Sequence, residues 1–162
     1  MKNWDSLPAA SMKNLFDTAT REDIKQRLGR LRPESQRQWG KMTPAQTMAH
    51  CSAAIELAMG GKPMPPRLWI GRLFGPIAKR SLLVKGEPMR RDAQTAASVL
   101  ISDERDFSSE QQRLSGMIET FATAGPDGCT KEPHFFFGRL TPVEWAALMY
   151  QHLDHHFRQF QV

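Results

Sequence analysis

The chain of 162 residues (18.4 kDa) has the length of one domain, residues 1–162, with a single core. Its hydrophobic fraction of 40% and charged fraction of 24% exclude extended disorder and fibrous repeats. Its two cysteines, Cys51 and Cys129, exclude a disulfide scaffold and a zinc ribbon, and they predict a reducing compartment. No apolar run resembles a signal peptide or reaches about 18 residues, so we expect a cytoplasmic protein without membrane insertion.

The net charge of +5 is unevenly placed. Residues 62–91 hold eight basic residues against one acid, Glu87, a net charge of +7. Such a block could face nucleic acid, an anionic membrane surface, an acidic small molecule or solvent. The chain has no Cys/His finger, no aromatic RNA-binding signature and no basic region leading into heptads, which argues against nucleic acid. A solvated basic face is the simplest interpretation.

The first two helices are predicted from caps and apolar spacing. Thr20 precedes apolar residues at helical spacing and predicts a helix over about 20–31. Thr43, Pro44 and Gln46 form a capping-box sequence with proline at the first helical position, so a second helix should run from there to Gly60. His50 lies about two turns into this helix.

A third helical segment is predicted over about 67–84, with a kink or break at Pro76. It is unusually apolar, and its apolar residues are equally compatible with a subunit interface and with a buried helix. They are Leu68, Trp69, Ile70, Leu73, Phe74 and Ile77. Residues 85–95 are predicted to form a loop.

The C-terminal half predicts two further helices. One begins near Ser108 and ends before Gly125, and residues 129–140 form an ordered connection after it. The last begins at Thr141 with a second capping box completed by Glu144. Because strand signals are weak throughout, the fold class is all-α, an all-helical bundle.

The last helix carries a candidate metal site. His152 and His156 are four residues apart, so their Cβ atoms lie ~5–6 Å apart on one face and can share an ion. Histidines near a helix C-terminus are also favoured by the helix dipole without any metal. His50 is the best third ligand, although a core histidine bonded to a backbone carbonyl explains His50 taken alone.

Three segments together resemble the DinB-like superfamily, which includes the bacillithiol S-transferases, and more narrowly one of its uncharacterised branches. They are residues 39–51 (WGKMTPAQTMAHC), 134–142 (HFFFGRLTP) and 152–159 (HLDHHFRQ). The resemblance extends from about Asn14 to the end. The family ending HHRGQ appears here as HHFRQ, which keeps Gln159 but places Arg158 where the family has a small residue.

The resemblance implies an up-down four-helix bundle, with an extra short helix in this chain. It also implies a divalent metal bound by one histidine of the second bundle helix and two of the last, here His50, His152 and His156. Characterised members are thiol-dependent S-transferases, isomerases and other detoxification enzymes. The implied cofactors are zinc, nickel or iron and a low-molecular-weight thiol, with a small-molecule substrate.

Three functions remain open on the sequence. Three imidazoles with open positions suit either a thiol S-transferase or a metal-dependent hydrolase, and no acid can be identified as a general base. A non-catalytic module that pairs through residues 67–84, for example as a homodimer, is the third. His134 could approach the site or be a surface or packing residue, and His155 should point away from the site, toward a partner chain or solvent. Gln159 could support His156 or cap the bundle end, and Cys51 is predicted to pack rather than ligate.

Overall fold

The protein is all-helical in a computed structural model that describes residues 12–66, 69–91 and 99–162. Those ranges contain five α-helices and no β-strand, apart from an isolated bridge between His134 and Gly138. The helices are α1 Thr18–Arg30, α2 Pro44–Ala58, α3 Trp69–Lys79, α4 Phe107–Ala124 and α5 Pro142–Gln159. A π-helical turn, Arg80–Val84, follows α3, and a 3₁₀ turn, Gly125–Gly128, follows α4. The all-α prediction is confirmed.

Both histidine-bearing helices begin with the predicted capping boxes. In α2 the Thr43 hydroxyl accepts from the backbone N–H of Gln46, whose side-chain oxygen accepts from the backbone N–H of Thr43. Thr141 and Glu144 make the same reciprocal pair at α5. These bonds satisfy backbone donors that a helix start leaves unpaired, so they fix the residue at which each helix begins.

The caps of α1 and α4 lie three and two positions before the starts predicted from the sequence, at Thr20 and near Ser108. Asp17 caps α1 by accepting from the backbone N–H of Thr20, which therefore lies inside the helix. Asp106 caps α4 by accepting from the backbone N–H of Ser109. An ionised carboxylate accepts more strongly than a hydroxyl and also suits the positive end of the helix dipole, so the upstream acid takes the cap.

Helices α1, α2, α4 and α5 enclose one core. Helix α2 packs against α4 and α5, and α1 packs against the same two helices. Because α2 has neighbours on two sides, most of its residues are buried, including His50. The largest fully buried side chains are Trp145, Phe121, Phe157, Leu15, Ile24, Leu31, Met48, Ile55, Leu114, Ile118 and Leu153.

A buried ion pair ties α1 to the C-terminal half of α5. Arg27 donates to Asp154 at 2.7 Å and also to the carbonyl of Val162. The outer oxygen of Asp154 pairs with Arg158 at 2.9 Å. Both carboxylate oxygens are thus compensated, and the turn of α5 that carries the histidines is held against α1.

Helix α3 lies outside this core. A Cβ atom added at Gly71 or Gly75 would come within 2.5 Å of the Phe136 carbonyl oxygen, so α3 packs by its glycines on the backbone of the 129–140 connection. The apolar side chains at positions 69, 70, 73, 74 and 77 are exposed. The buried-helix alternative is therefore wrong for these residues, and Leu68 lies outside the described ranges.

Pro76 lies inside α3 and does not end it. Proline cannot donate to the carbonyl four residues earlier, and the α-helical bonding of α3 ends at Lys79, where the π-helical turn begins. Residues 85–91 have no regular secondary structure apart from a bend at Lys85 and a turn at Arg91, in agreement with the predicted loop, whose remaining positions lie outside the described ranges. None of the described helices is both long and apolar enough to cross a membrane.

Candidate metal centre

Helices α2 and α5 bring His50, His152 and His156 together. The three ring centroids are 4.7–4.8 Å apart, and one nitrogen from each ring lies within 4.8 Å of the others. The shortest approach is 2.9 Å, between the Nε2 atoms of His50 and His152. Nitrogens bound to one tetrahedral zinc ion at ~2.0–2.1 Å lie roughly 3.3 Å apart, so small side-chain adjustments would bring the three rings onto one ion.

The tautomers of two rings are fixed by groups outside the triad. His50 Nδ1 donates to the Val99 carbonyl at 2.7 Å, since a carbonyl can only accept. The amide nitrogen of Gln159 donates to the Trp39 carbonyl, which turns the amide oxygen of Gln159 toward His156 Nδ1 at 3.0 Å. Both Nδ1 atoms therefore carry the proton, and each Nε2 presents a lone pair.

All three imidazoles are held in the neutral form. Burial, then the neighbouring His50, lowers the pKa of His156 to about 3. Burial, then His156 and His50, holds the pKa of His152 well below its ordinary value. Burial also lowers the pKa of His50, against the opposing effect of the Val99 carbonyl. Neutral imidazole is the form that binds a metal ion.

These residues fit a divalent ion. The group consists only of imidazoles among the described residues, a donor set suited to zinc, nickel, copper or iron. The Nε2 atoms of His50 and His152 are 2.9 Å apart, a distance at which the two nitrogens share a proton. Three ligands leave at least one coordination position open, as in catalytic rather than structural sites. His50 and His156 are buried residues, and His152 is partly buried.

The two remaining histidines, His134 and His155, are not members of the triad. The His155 ring contacts the rings of Trp39 and His156, with centroids 5.6 and 5.1 Å away. His134 is buried, and its Nδ1 accepts from the backbone N–H groups of Phe136 and Phe137, so its role is packing and turn formation. Burial lowers the pKa of His134 to about 4.

Cys51 does not join the site. It is fully buried in the core, and burial raises the pKa of its thiol far above the ordinary value. Burial likewise raises the pKa of Cys129 to about 11. Neither thiol is therefore a thiolate near neutral pH.

Gly40 and the backbone carbonyl of Trp39 are parts of the site that sequence reasoning missed. Gly40 has φ of +75°, and a Cβ atom there would lie 2.5 Å from the side-chain nitrogen of Gln159. Because residue 40 is glycine, the Gln159 side chain can reach the Trp39 carbonyl. The Val99 carbonyl was missed as well, since a backbone acceptor has no residue type to reveal it.

A cavity of about 480 Å³ adjoins the turn at Trp39 and Gly40. Its lining residues are Gln38, Trp39, Pro88, Met89, Arg91, Asp154, His155, Arg158 and Gln161. The Arg91 guanidinium stacks on the Trp39 ring at 4.3 Å, and the indole Nε1 of Trp39 is buried with no hydrogen-bond partner in the described part of the chain. The cavity therefore combines an aromatic wall with two guanidinium groups.

Comparison with known proteins identifies a family without a known activity. A family model described as a protein of unknown function (DUF1569) matches residues 10–162. No curated protein and no solved structure matches the chain. The match spans nearly the whole sequence, so the chain belongs to the DUF1569 family.

Proposed function

We propose that this protein binds a divalent metal through His50, His152 and His156 and transfers a low-molecular-weight thiol to an electrophilic small molecule. In this proposal the fold is a DinB-like up-down four-helix bundle made of α1, α2, α4 and α5, with α3 as the extra short helix. Its support is that these four helices share one core and that the histidines come from the second and the last of them.

The observation that carries the proposal is the convergence of three neutral imidazoles, two of which have their outer nitrogens engaged by other groups. Val99 and Gln159 hold two of the rings with their lone pairs directed inward, so little reorganisation is needed on binding. A bound divalent ion supplies Lewis acidity, which lowers the pKa of a thiol or of water. His50 and His156 are buried, and His152 is partly buried, so the helices shield the rings from bulk solvent.

Thiol transfer is favoured over hydrolysis by the state of the buried acids. Glu110 and Asp154 are the buried carboxylates of the described residues, and both are paired with arginines. Neither is free to take a proton from water as a general base. A thiol has a lower pKa than water and therefore loses its proton without a general base. In the transfer its sulfur bonds to the electrophilic carbon, the leaving group departs with the bonding electrons, and the thiol proton passes to solvent.

The cavity beside Trp39 is the proposed binding place for the small molecules. Arg91 and Arg158 line it and would pair with a carboxylate of the thiol or of its partner. The Trp39 ring would stack against an unsaturated substrate. His155 and Gln159 connect this cavity to the rim of the triad.

The first test is elemental analysis of purified protein without a histidine tag. The native chain is expected to hold near one equivalent of metal, whereas a His152→Ala, His156→Ala double variant, prepared identically, should hold none. Both proteins should also be incubated with zinc, nickel and iron(II) before analysis. Absence of metal in the native chain after this incubation would make the histidines structural and would remove the enzyme proposal.

The second test is transfer itself, measured with bacillithiol, mycothiol and glutathione against a halogenated fluorogenic electrophile. The metal-loaded native protein should accelerate conjugation of at least one thiol, and the double variant should not. Ester and amide hydrolysis by the same preparations tests the alternative metal-dependent hydrolase. A metal-loaded native protein that accelerates neither reaction would favour a non-catalytic module.

The module alternative is supported by a separate observation, the exposed apolar side chains of α3. In that alternative a metal ion would join α2 to α5, and α3 would bind a partner, with a homodimer as the form predicted from the sequence. The two candidates share the metal site and differ in whether a thiol is consumed.

A further inference from the structure

One face of α3 is apolar and has no covering element. Its side chains recur at helical spacing and remain between 44% and 70% exposed. They are Trp69, Ile70, Leu73, Phe74 and Ile77, here called the α3 apolar face. Large apolar side chains gathered on one face of a helix mark an interaction site, since single exposed residues are common but contiguous patches are not.

The opposite face of α3 explains why the helix cannot turn this patch inward. Gly71 and Gly75 approach the Phe136 carbonyl so closely that neither position has room for a Cβ atom. Only the glycine strip of the helix therefore fits against the 129–140 connection. The close packing of the glycine strip therefore keeps the α3 apolar face exposed.

The segment that carries this face is basic. Residues 69–91 contain six basic residues and one acidic residue, Glu87. Glu144 of α5 pairs with Lys79, and Glu87 pairs with Lys85, which still leaves an excess of positive charge. Arg72 is exposed and lies between the glycine strip and the Trp69 edge of the apolar face, whereas Lys79, on the same strip, is held by Glu144 and the Arg139 carbonyl.

We propose that the α3 apolar face docks on an anionic membrane surface. Apolar and aromatic side chains would enter the boundary between headgroups and acyl chains, while Arg72 and its basic neighbours contact anionic headgroups. Charge complementarity distinguishes this partner from a second copy of the chain. A symmetric dimer through α3 would place two equally basic segments against each other, which opposes association.

The test is co-sedimentation of the full chain with vesicles of phosphatidylcholine alone or mixed with phosphatidylglycerol. The native chain should bind the mixed vesicles, and binding should weaken with added salt. A Leu73→Ser, Ile77→Ser double variant should bind at least about tenfold more weakly. Arg72→Gln should weaken binding about fivefold, as expected for loss of one charge at an anionic surface.

Leu100→Ser is the matched control, because Leu100 is a similarly exposed leucine outside α3 and its loss should leave vesicle binding unchanged. All variants remove exposed side chains, so their unfolding temperatures should match the native value. Failure of the native chain to bind, equal binding to both vesicle types, or undiminished binding by the double variant would each overturn the proposal. So would a native dimer that the double variant dissociates, because the face would then serve a second copy. The metal site takes no part in these outcomes.

Discussion

Gln159 connects His156 to the turn at Trp39. Its amide oxygen accepts from His156 Nδ1 while its amide nitrogen donates to the Trp39 carbonyl. Gln159→Leu removes both bonds and leaves the His156 ring free to rotate. Loss of such a supporting partner weakens metal binding about 10–100-fold, and competition against a chromogenic chelator would measure it.

Gln151→Leu provides the comparison, because Gln151 lies on the same helix and its side chain approaches the Leu82 carbonyl instead of the triad. This variant should keep the native metal affinity. Equal affinities for the native, Gln159→Leu and Gln151→Leu proteins would show that His156 does not need its partner.

A substitution at Gly40 tests the bond between Gln159 and the Trp39 carbonyl by changing the backbone turn. Gly40→Ala imposes a side chain at φ of +75° and also places Cβ 2.5 Å from the Gln159 nitrogen. Gly86 has a similar φ of +67° with no atom within 4 Å of its Cβ position. We expect Gly86→Ala to cost about 1–2 kcal/mol of unfolding free energy, the penalty of a left-handed backbone alone. Gly40→Ala should cost more and should also weaken metal binding, whereas metal affinity reduced equally by both variants would contradict this interpretation.

Sequence reasoning found the three side chains of the candidate site and named Gln159 as a supporting partner for His156, with a cap of the bundle end as the alternative, but it found neither of the backbone carbonyls that complete the site. The spacing of His152 and His156 places both on one face of a helix, and the place of His50 in the buried second helix made it the third candidate, which the family resemblance then also implied. Nothing in the residue types marked the carbonyls of Val99 and Trp39 as partners. Every residue has a backbone carbonyl, so only the folded chain shows which one is within reach.

Glycines in α3 and α4 differ in the space available for a side chain. Gly75→Ala would drive Cβ into the Phe136 carbonyl, so we expect a loss of about 1–3 kcal/mol in the free energy of unfolding. Gly116, inside α4, has nothing within 4 Å of its Cβ position, and Gly116→Ala should gain about 0.5–1 kcal/mol. Urea unfolding of both variants checks this. A gain in both would mean that α3 is not held tightly on the connection.

The turn that contains His134 should make stability depend on pH. Burial lowers the pKa of His134 from 6.5 to about 4, and its Nδ1 must be unprotonated to accept from Phe136 and Phe137. Between about pH 6.5 and pH 4, therefore, His134 is protonated in the unfolded chain but not in the folded chain. The contribution of His134 to stability is complete above about pH 6.5 and falls by about 3 kcal/mol as the pH approaches 4.

His134→Asn isolates this contribution, because the asparagine oxygen can accept the same backbone bonds without titrating. Urea unfolding of metal-free protein at several pH values should show a smaller acid loss for the variant than for the native chain. Identical pH dependence of the two proteins would place the titration elsewhere.

Helix positions were predictable where the signal was local and complete. Thr43 with Gln46, and Thr141 with Glu144, contain both halves of a capping box, and α2 and α5 begin there. For α1 and α4 an acidic residue upstream of the predicted start caps the helix instead. The exposure of α3 was not predictable, since periodicity shows that a helix has an apolar face but not which way that face points.

Across the whole molecule, an ion at the candidate site would link α2 to α5. Binding to the folded chain alone stabilises it by about 2.7 kcal/mol when free metal is 100-fold above its dissociation constant. For a chain of this size the unfolding temperature should rise by about 5–10 °C. His50→Ala should abolish the rise, because the link to α2 is lost, whereas His155→Ala, which changes a histidine outside the triad, should preserve it.

Thermal unfolding with zinc, nickel or iron(II), with and without each thiol, therefore also separates the two proposed functions. A further rise with a thiol requires a thiol site on the metal-loaded fold and supports transfer. A rise with metal alone supports the module. An equal rise in the native and His50→Ala proteins would mean that metal binds elsewhere, and both proposals would lose the site on which they rest.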